Sequence, residues 1–288
     1  MTTLGYYPGC SLHGGGLELD RSVRELARLA GTDLREIDDW NCCGATSAHC
    51  MNHDLAVALP YRVLALAKEQ GLTRILAPCA ACFSRLKGTN VRLKNDPALA
   101  AKMTDITGRQ YTGDVDVISC VELANLLLSE GLAGKLTSPL KDLKVAPYYG
   151  CLLSRGADIV TDDAENPTAM EPAIQAAGCQ VVAWNLANEC CGGGFSMSIK
   201  EAVVDLSAAI LDEARAAGAD VIVTGCPMCH SNLDMRQLAI RDAGRSAGDL
   251  PVLYLSELLC LAAGADPKAI GLDAHFIDAM PLAARSQP

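Results

Sequence analysis

The segment Ala67-Lys-Glu-Gln-Gly-Leu-Thr-Arg-Ile-Leu-Ala-Pro-Cys79 recurs 147 positions later as Ala214-Arg-Ala-Ala-Gly-Ala-Asp-Val-Ile-Val-Thr-Gly-Cys226. Each copy passes from a helical stretch through a glycine into a short apolar run and then a Cys-x-x-Cys pair. Gly71 and Gly218 fit the position just after a helix, which favours glycine. The repetition predicts a duplicated domain, because a solenoid would need more and shorter repeats.

Outside this segment, each half continues to alternate short apolar runs with helical stretches. This alternation predicts an α/β fold with two pseudo-symmetric repeated domains, each a mostly parallel sheet with flanking helices. We predict domains at 1–140 and 141–265 and a C-terminal tail or docking arm at 266–288. The predicted strands are 4–7, 34–37, 74–77, 115–119, 144–148, 180–184, 221–224 and 252–255, and predicted helices include 17–30, 55–70, 202–217 and 229–243.

Ten of the fourteen cysteines occur in the same order in both halves. A single cysteine is followed by an adjacent pair and then by Cys-x-x-Cys, and several of them come shortly after a predicted strand. Ligand sites in open parallel sheets form outside the carboxyl ends of strands. We therefore expect each set of five to converge on a crevice at such an edge. The first quintet is Cys10, Cys42, Cys43, Cys79 and Cys82, and the second quintet is Cys151, Cys190, Cys191, Cys226 and Cys229.

The composition excludes several classes of partner. The net charge is −10 and the isoelectric point is about 4.9, so nothing offsets the charge of nucleic acid phosphates or of an anionic membrane surface. We find no apolar run long enough to cross a membrane and no signal peptide at the N-terminus, and therefore expect a cytoplasmic protein without direct membrane insertion. Stable disulfides are disfavoured in the reducing cytoplasm. We therefore expect the cysteines to bind metal, to take part in redox chemistry or to lie buried.

The number of cysteines distinguishes between metals. A structural zinc ion and a cubane iron–sulfur cluster each take four protein ligands, whereas each half of this chain supplies five thiolates. Gly44 and the run Gly192-Gly193-Gly194 follow the adjacent cysteines and allow the sharp turn by which both could reach one site. The residues favour an iron–sulfur cluster in each half. Three alternatives stay open: zinc in one or both halves, one cubane per half with a spare core cysteine, and redox dithiols without metal.

The whole pattern resembles the cysteine-rich CCG domain family, and within it the B subunit of heterodisulfide reductase. The resemblance covers residues 4–264 and rests on specific motifs. These are Tyr7-Pro-Gly-Cys10, Trp40-Asn-Cys-Cys-Gly44, Tyr149-Gly-Cys151, Cys190-Cys-Gly-Gly-Gly194, Cys226-Pro-Met-Cys-His230 and Pro251-Val-Leu-Tyr-Leu-Ser-Glu257-Leu-Leu.

The resemblance implies two noncubane [4Fe–4S] clusters, one ligated by all five cysteines of each quintet, that face each other across a cleft. It implies an oxidoreductase acting on sulfur groups, which cleaves or forms a disulfide or carrier-bound sulfur substrate. The implied partners are a flavin-containing protein similar to the A subunit of that enzyme and a ferredoxin-like protein similar to its C subunit. Similar domains occur in lactate and glycolate oxidases and in some succinate dehydrogenases. The alternative is therefore a protein that transfers electrons in such a dehydrogenase without disulfide chemistry.

A few residues outside the quintets are candidates for supporting roles. His230 directly follows Cys229 and is our candidate proton donor to a substrate thiolate. His13, His49 and Cys50 could reach the mouth of the first site, and Arg155 could bind an anionic group of the substrate, although a surface role is favoured for it. We expect Cys120 and Cys260 to be buried as small hydrophobic residues.

Overall fold

Two four-stranded parallel sheets form the centres of the two halves in the computed structural model, which describes residues 3–45, 48–156, 158–160, 162–245 and 249–285. The strand orders are β2-β1-β3-β4 and β6-β5-β7-β8, so the two halves have the same topology. This confirms the predicted α/β fold with pseudo-symmetric repeats. Because every pairing is parallel, the carboxyl ends of the strands in each sheet lie at one edge.

All eight predicted strands are present. Four of them are shorter than predicted, by one residue at 74–77 and 252–255 and by two or three residues at 115–119 and 180–184. The strands are β1 Thr3–Tyr6, β2 Asp33–Glu36, β3 Arg74–Leu76, β4 Asp116–Ile118, β5 Lys144–Tyr148, β6 Gln180–Val181, β7 Val221–Thr224 and β8 Val252–Tyr254.

Helices connect the strands and cover the sheets. Those of the first half are α1 Gly9–Leu12, α2 Leu17–Ala30, α3 Ala48–Met51, α4 His53–Glu69, α5 Ala80–Asn95, α6 Pro97–Thr107 and α7 Cys120–Ser129. Those that follow are α8 Gly150–Ser154, α9 Glu171–Ala176, α10 Lys200–Ala216, α11 Pro227–Asp242, α12 Leu255–Ala262 and α13 Met280–Ala283. Short 3₁₀ turns lie at Leu132–Lys135, Gly193–Phe195 and Leu272–Ala274.

Glycines end the long helices at the predicted places. Gly71 follows α4 with φ +76°, and Gly218 follows α10 with φ +84°. The Gly71 N–H donates to the Lys68 carbonyl, and the Leu72 N–H donates to the Ala67 carbonyl. This pattern closes the last turn of α4 and directs the chain into β3.

The two halves pack through α12 of the second half and through α2 and α7 of the first half. α12 lies against α2 and α7, and buried polar groups join them. The hydroxyls of Ser22 and Ser256 lie 2.7 Å apart, and the Cys260 thiol donates to the Ser22 carbonyl at 3.4 Å. Cys120 at the start of α7 donates to the Gly225 carbonyl of the other half at 3.1 Å.

The described residues 266–285 pack against the rest of the chain and do not extend away from it. Ile270, Leu272 and Ile277 are buried in the core. The Asp234 carboxylate accepts from the Phe276 and Ile277 N–H groups at 2.7 and 2.9 Å. The boundaries 1–140 and 141–265 stay a prediction.

Within the described ranges, no helix combines the length and the apolarity needed to cross a bilayer.

Candidate metal centre

Both quintets line one cavity of about 920 Å³. In each half the single cysteine follows the first strand, the adjacent pair follows the second strand, and the Cys-x-x-Cys pair follows the third strand. The parallel topology brings these three loops to the same sheet edge, as the sequence predicts. The two edges face each other, so all ten sulfur-bearing side chains border a common space.

A glycine with positive φ precedes the single cysteine in each half. Gly9 has φ +62° and Gly150 has φ +61°. A Cβ atom at Gly9 would lie 3.0 Å from Cys82 Sγ, and one at Gly150 would lie 3.0 Å from Cys229 Sγ. Both the backbone conformation and the close approach to sulfur therefore require glycine.

Buried tyrosines fix the loops that carry the adjacent cysteines. The Tyr7 hydroxyl donates to the Asn41 carbonyl at 2.8 Å, and the Tyr148 hydroxyl donates to the Glu189 carbonyl at 2.7 Å. The acceptor in each case is the residue just before the cysteine pair. Burial, followed by the nearby cysteines, raises the pKa of both tyrosines, so both stay protonated donors.

The glycine after each cysteine pair makes the predicted turn. Gly44 has φ +76° and Gly192 has φ +79°. The Gly44 N–H donates to Cys42 Sγ at 3.4 Å, and the Gly192 N–H donates to Cys190 Sγ at 3.3 Å. Backbone donors aimed at sulfur stabilise thiolate charge.

The sulfur atoms are in contact but not bonded. Cys43 Sγ lies 3.2 Å from Cys82 Sγ, and Cys191 Sγ lies 3.6 Å from Cys229 Sγ. Hydrogen bonding to Cys82 lowers the pKa of Cys79 to about 7, although burial opposes the shift. In the second half, hydrogen bonding to Cys229 lowers the pKa of Cys191 to about 7.

The donor set fits an iron–sulfur cluster in each half. Every cysteine in both quintets is a free thiol, and the buried sulfurs of each quintet crowd around one another. Such a group needs either shared protons or a soft cation between the sulfurs, and thiolates are the usual ligands of iron–sulfur clusters. The residues present can therefore hold the cofactor that the sequence pattern implies.

Two arginines line the cavity from one side, and both come from α5 in the first half. Arg85 and Arg92 are seven residues apart and so lie on one helix face. In the part of the chain that the structure describes, neither side chain forms an ion pair. Sequence reasoning missed both arginines. Their spacing of three and ten residues from Cys82 is the helical signal that could have revealed them.

His230 does not line the cavity, and our expectation of a proton donor there is corrected. Its ring is buried, stacks on Tyr254 at 4.2 Å and bonds through Nε2 to the Val252 carbonyl at 2.9 Å. Burial, with the charge of His275 adding to it, holds the pKa of His230 well below its usual range. Successive helical residues point about 100° apart, so the neighbour of Cys229 faces the sheet.

The other candidates divide between the cavity and the rest of the molecule. Cys50 is exposed and lines the cavity. His13 is about half exposed and lies 3.6 Å from Glu36, and it does not line the cavity. The side chain of His49 lies outside the described part of the structure. Cys120, Cys179 and Cys260 are buried, and Arg155 is exposed and away from the cavity.

The family profile of the CCG cysteine-rich domain matches residues 4–87 and 145–234, which together carry both quintets. The chain belongs to the CCG cysteine-rich domain family. It is 32% identical over 281 residues to the 8-methylmenaquinol:fumarate reductase membrane anchor subunit of Wolinella succinogenes, covering 96% of this chain and 98% of that protein. It is 30% identical over 288 residues to the B subunit of the ferredoxin/F420H2-dependent CoB-CoM heterodisulfide reductase of Methanosarcina acetivorans, covering 96% of this chain and 94% of that protein.

A solved structure shares the fold of this CCG chain. The crystal structure of a hypothetical protein from Helicobacter pylori superposes with a TM-score of 0.78 at 15% sequence identity. The match covers 96% of this chain and 52% of that one. At this identity the likeness shows the fold alone. The similarity to heterodisulfide reductase B subunits nevertheless places the chain among relatives that are subunits of multi-subunit oxidoreductases.

Proposed function

We propose that this chain is the iron–sulfur catalytic subunit of a heterodisulfide reductase-like complex, with a noncubane [4Fe–4S] cluster in each quintet. The cavity between the quintets binds a disulfide, a thiol or a carrier-bound sulfur. The observation that carries the proposal is the single cavity bordered by both quintets. Two separate electron-transfer centres would not need to share one opening of this size, whereas a two-sulfur substrate would.

Bound iron–sulfur clusters supply one-electron transfers at potentials set by their ligands and surroundings. The chain's own residues hold and tune them. The quintets provide the thiolates, and the N–H groups of Gly44 and Gly192 stabilise the charge on Cys42 and Cys190.

The proposed reaction consumes two electrons and two protons. The S–S bond of RSSR′ breaks and two thiols, RSH and R′SH, leave, or the same steps run in reverse. The electrons come from a flavin-containing partner of the A-subunit type through a ferredoxin-like partner of the C-subunit type. With His230 turned to the sheet, the protons enter from solvent through the open cavity.

Arg85 and Arg92 give the cavity a positive side although the whole chain carries a charge of −10. An arginine without an acidic partner is suited to a carboxylate, sulfonate or phosphate. The substrate is therefore one in which sulfur and an anionic group occur in the same molecule. Its anionic end lies on the side of the first half.

The second candidate is an electron-transfer subunit of a respiratory dehydrogenase without disulfide chemistry. The similarity to the fumarate reductase subunit, which extends over nearly the full length of both chains, favours it. Both candidates require the iron–sulfur centres, and they differ in whether a thiol binds next to them.

The test is a set of measurements on anaerobically purified protein. We expect about eight iron atoms and matching sulfide per chain, as for two [4Fe–4S] clusters. Cys226→Ser should lose the second cluster and about half of the iron, since it removes a ligand. Cys50→Ser removes a cavity thiol outside the quintets and should keep all of the iron.

Thiol binding then separates the two candidates. A thiol that carries an anionic group should induce or change a paramagnetic signal of the oxidised wild-type protein. No change with any thiol or disulfide, at full iron content, would favour the electron-transfer candidate. Zinc in place of iron would eliminate both candidates.

A further inference from the structure

The duplicated halves differ in charge at one equivalent position next to the quintets. Arg85 in α5 and Asn232 in α11 each lie three residues after the last cysteine of their quintet. Three residues along a helix return nearly to the same face, so both side chains lie beside the quintet of their own half. The first half has a guanidinium at this place and the second half has a neutral carboxamide.

The carboxamide of Asn232 is buried against the second quintet. Its Nδ2 donates to the Cys191 carbonyl at 3.1 Å and lies 3.6 Å from Cys191 Sγ. Its Oδ1 accepts from the Ser196 hydroxyl at 2.9 Å. Asn232 thus supplies a dipole but no net charge.

The guanidinium of Arg85 lines the cavity together with Cys43, Cys79 and Cys82. Within the described ranges Arg85 forms no ion pair with a carboxylate.

The other charged residues near the two sites are Arg92, Asp158 and Arg236, of which Arg92 adds to this difference. Arg92 also lines the cavity, and the equivalent residue of the second half is Ala239. Asp158 lines the cavity as the one acidic residue among its described lining. Arg236 of α11 donates to the Ser196 carbonyl at 3.2 Å and does not line the cavity.

We propose that Arg85 makes the two redox sites unequal, so that the site in the first half has the higher reduction potential and is the electron-accepting end of the pair. A positive charge stabilises the state that holds one more electron, and a low-dielectric site amplifies the effect. Electrons then pass within the chain from the second quintet to the first. This inference rests on the proposed function, because it requires a cluster in each half.

The experiment is a potentiometric titration of the anaerobic, iron-loaded full chain, followed by paramagnetic resonance. Wild-type protein should show two potentials. Arg85→Asn, which installs the residue of the second half, should lower the higher potential by about 59 mV or more, a tenfold change in the ratio of reduced to oxidised centre. The lower potential should not move.

Three further variants keep the test decisive. Arg85→Lys retains the charge and should keep both potentials near wild type. Lys141→Asn removes an equal charge from an exposed turn before β5, at the opposite edge of the sheet, and should move neither potential. Asn232→Asp adds a negative charge with little change of shape, and should lower only the lower potential.

The outcomes separate this inference from the proposed function. Absence of two iron–sulfur centres in wild-type protein would overturn both. Two centres whose reduction potentials are unchanged in Arg85→Asn would overturn the inference but not the proposed function. A fall of the higher potential in Asn232→Asp would do the same. If Arg85→Asn does not load iron, Asn232→Asp still assigns the two potentials to the halves.

Discussion

At the scale of single residues, the sites depend on backbone positions that only glycine can occupy as much as on the cysteines themselves. Gly9 and Gly150 occur at equivalent places, with nearly the same positive φ and the same close approach to a cysteine sulfur. A side chain at either glycine would require the neighbouring cysteine sulfur to move.

We predict that Gly9→Ala destabilises the protein by about 1–2 kcal/mol, because an L-residue is strained in the left-handed region. The new Cβ would also press on Cys82 Sγ, so iron bound in the first half should fall. Urea unfolding and iron analysis under anaerobic conditions measure both effects. Gly15→Ala is the matched control, since a Cβ there would meet nothing within 4 Å, and equal losses in the two variants would contradict the account.

The residue scale also shows where sequence reasoning stops. The quintets can be predicted because the repeat displays them twice. The role expected of His230 is wrong because adjacency to Cys229 in sequence is not adjacency on a helix. Arg85 and Arg92 could have been found from helical spacing after Cys82. The contact of Asn232 with Cys191 depends on a loop from elsewhere in the chain and has no local signal.

At the scale of elements, strands such as β7 (Val221–Thr224) and β8 (Val252–Tyr254) were predictable because they are short apolar runs, whereas β2 (Asp33–Glu36) is mostly charged and its apolar signal is weak. The segment 266–285 was not predictable, since its one described helix and its 3₁₀ turn are short and it is held mainly by tertiary bonds. Its central contact is buried: His275 Nε2 lies 2.9 Å from Glu257 Oε1, with both side chains fully shielded from solvent.

This contact predicts a pH dependence of stability. Burial works to lower the pKa of His275, but the hydrogen bond and charge of Glu257 outweigh it and raise the pKa above the ordinary 6.5. A raised pKa means that the native state binds the proton more tightly. The stabilisation is therefore complete below pH 6.5 and is lost as the pH rises through the raised value.

We expect His275→Gln to lower the free energy of unfolding by about 1–3 kcal/mol at acidic pH, and the difference from wild type to shrink as the pH rises. Urea unfolding at several pH values measures it. His53→Gln, at an exposed histidine that forms no ion pair among the described residues, is the control. A difference for His275→Gln that grows with pH would refute the assigned role of the buried pair.

At the scale of the whole molecule, the proposed function requires that the two halves hold a fixed relation across the cavity. Cys120 and Gly225 meet where the halves join. A Cβ at Gly225 would lie 2.7 Å from Cys120 Sγ and 2.9 Å from Leu153 Cδ1, so there is no room for a side chain. Because Cys226 follows Gly225, a shift here also moves a member of the second quintet.

We predict that Gly225→Ala costs about 1–3 kcal/mol through overpacking at this junction. Cys120→Ala in the same chain should restore part of that loss, giving a coupling of about 0.5–3 kcal/mol in a double-mutant cycle. Gly134→Ala, at an open position, is the control. Strictly additive effects of the two substitutions would mean that the halves do not pack in this way.

The most direct test of the central claim is an anaerobic crystal structure of the chain with anomalous data at the iron edge. The account predicts two groups of anomalous scatterers, one ligated by each quintet, on opposite sides of the one cavity. Zinc scattering at either quintet, or iron groups that open to different outer surfaces, would contradict it.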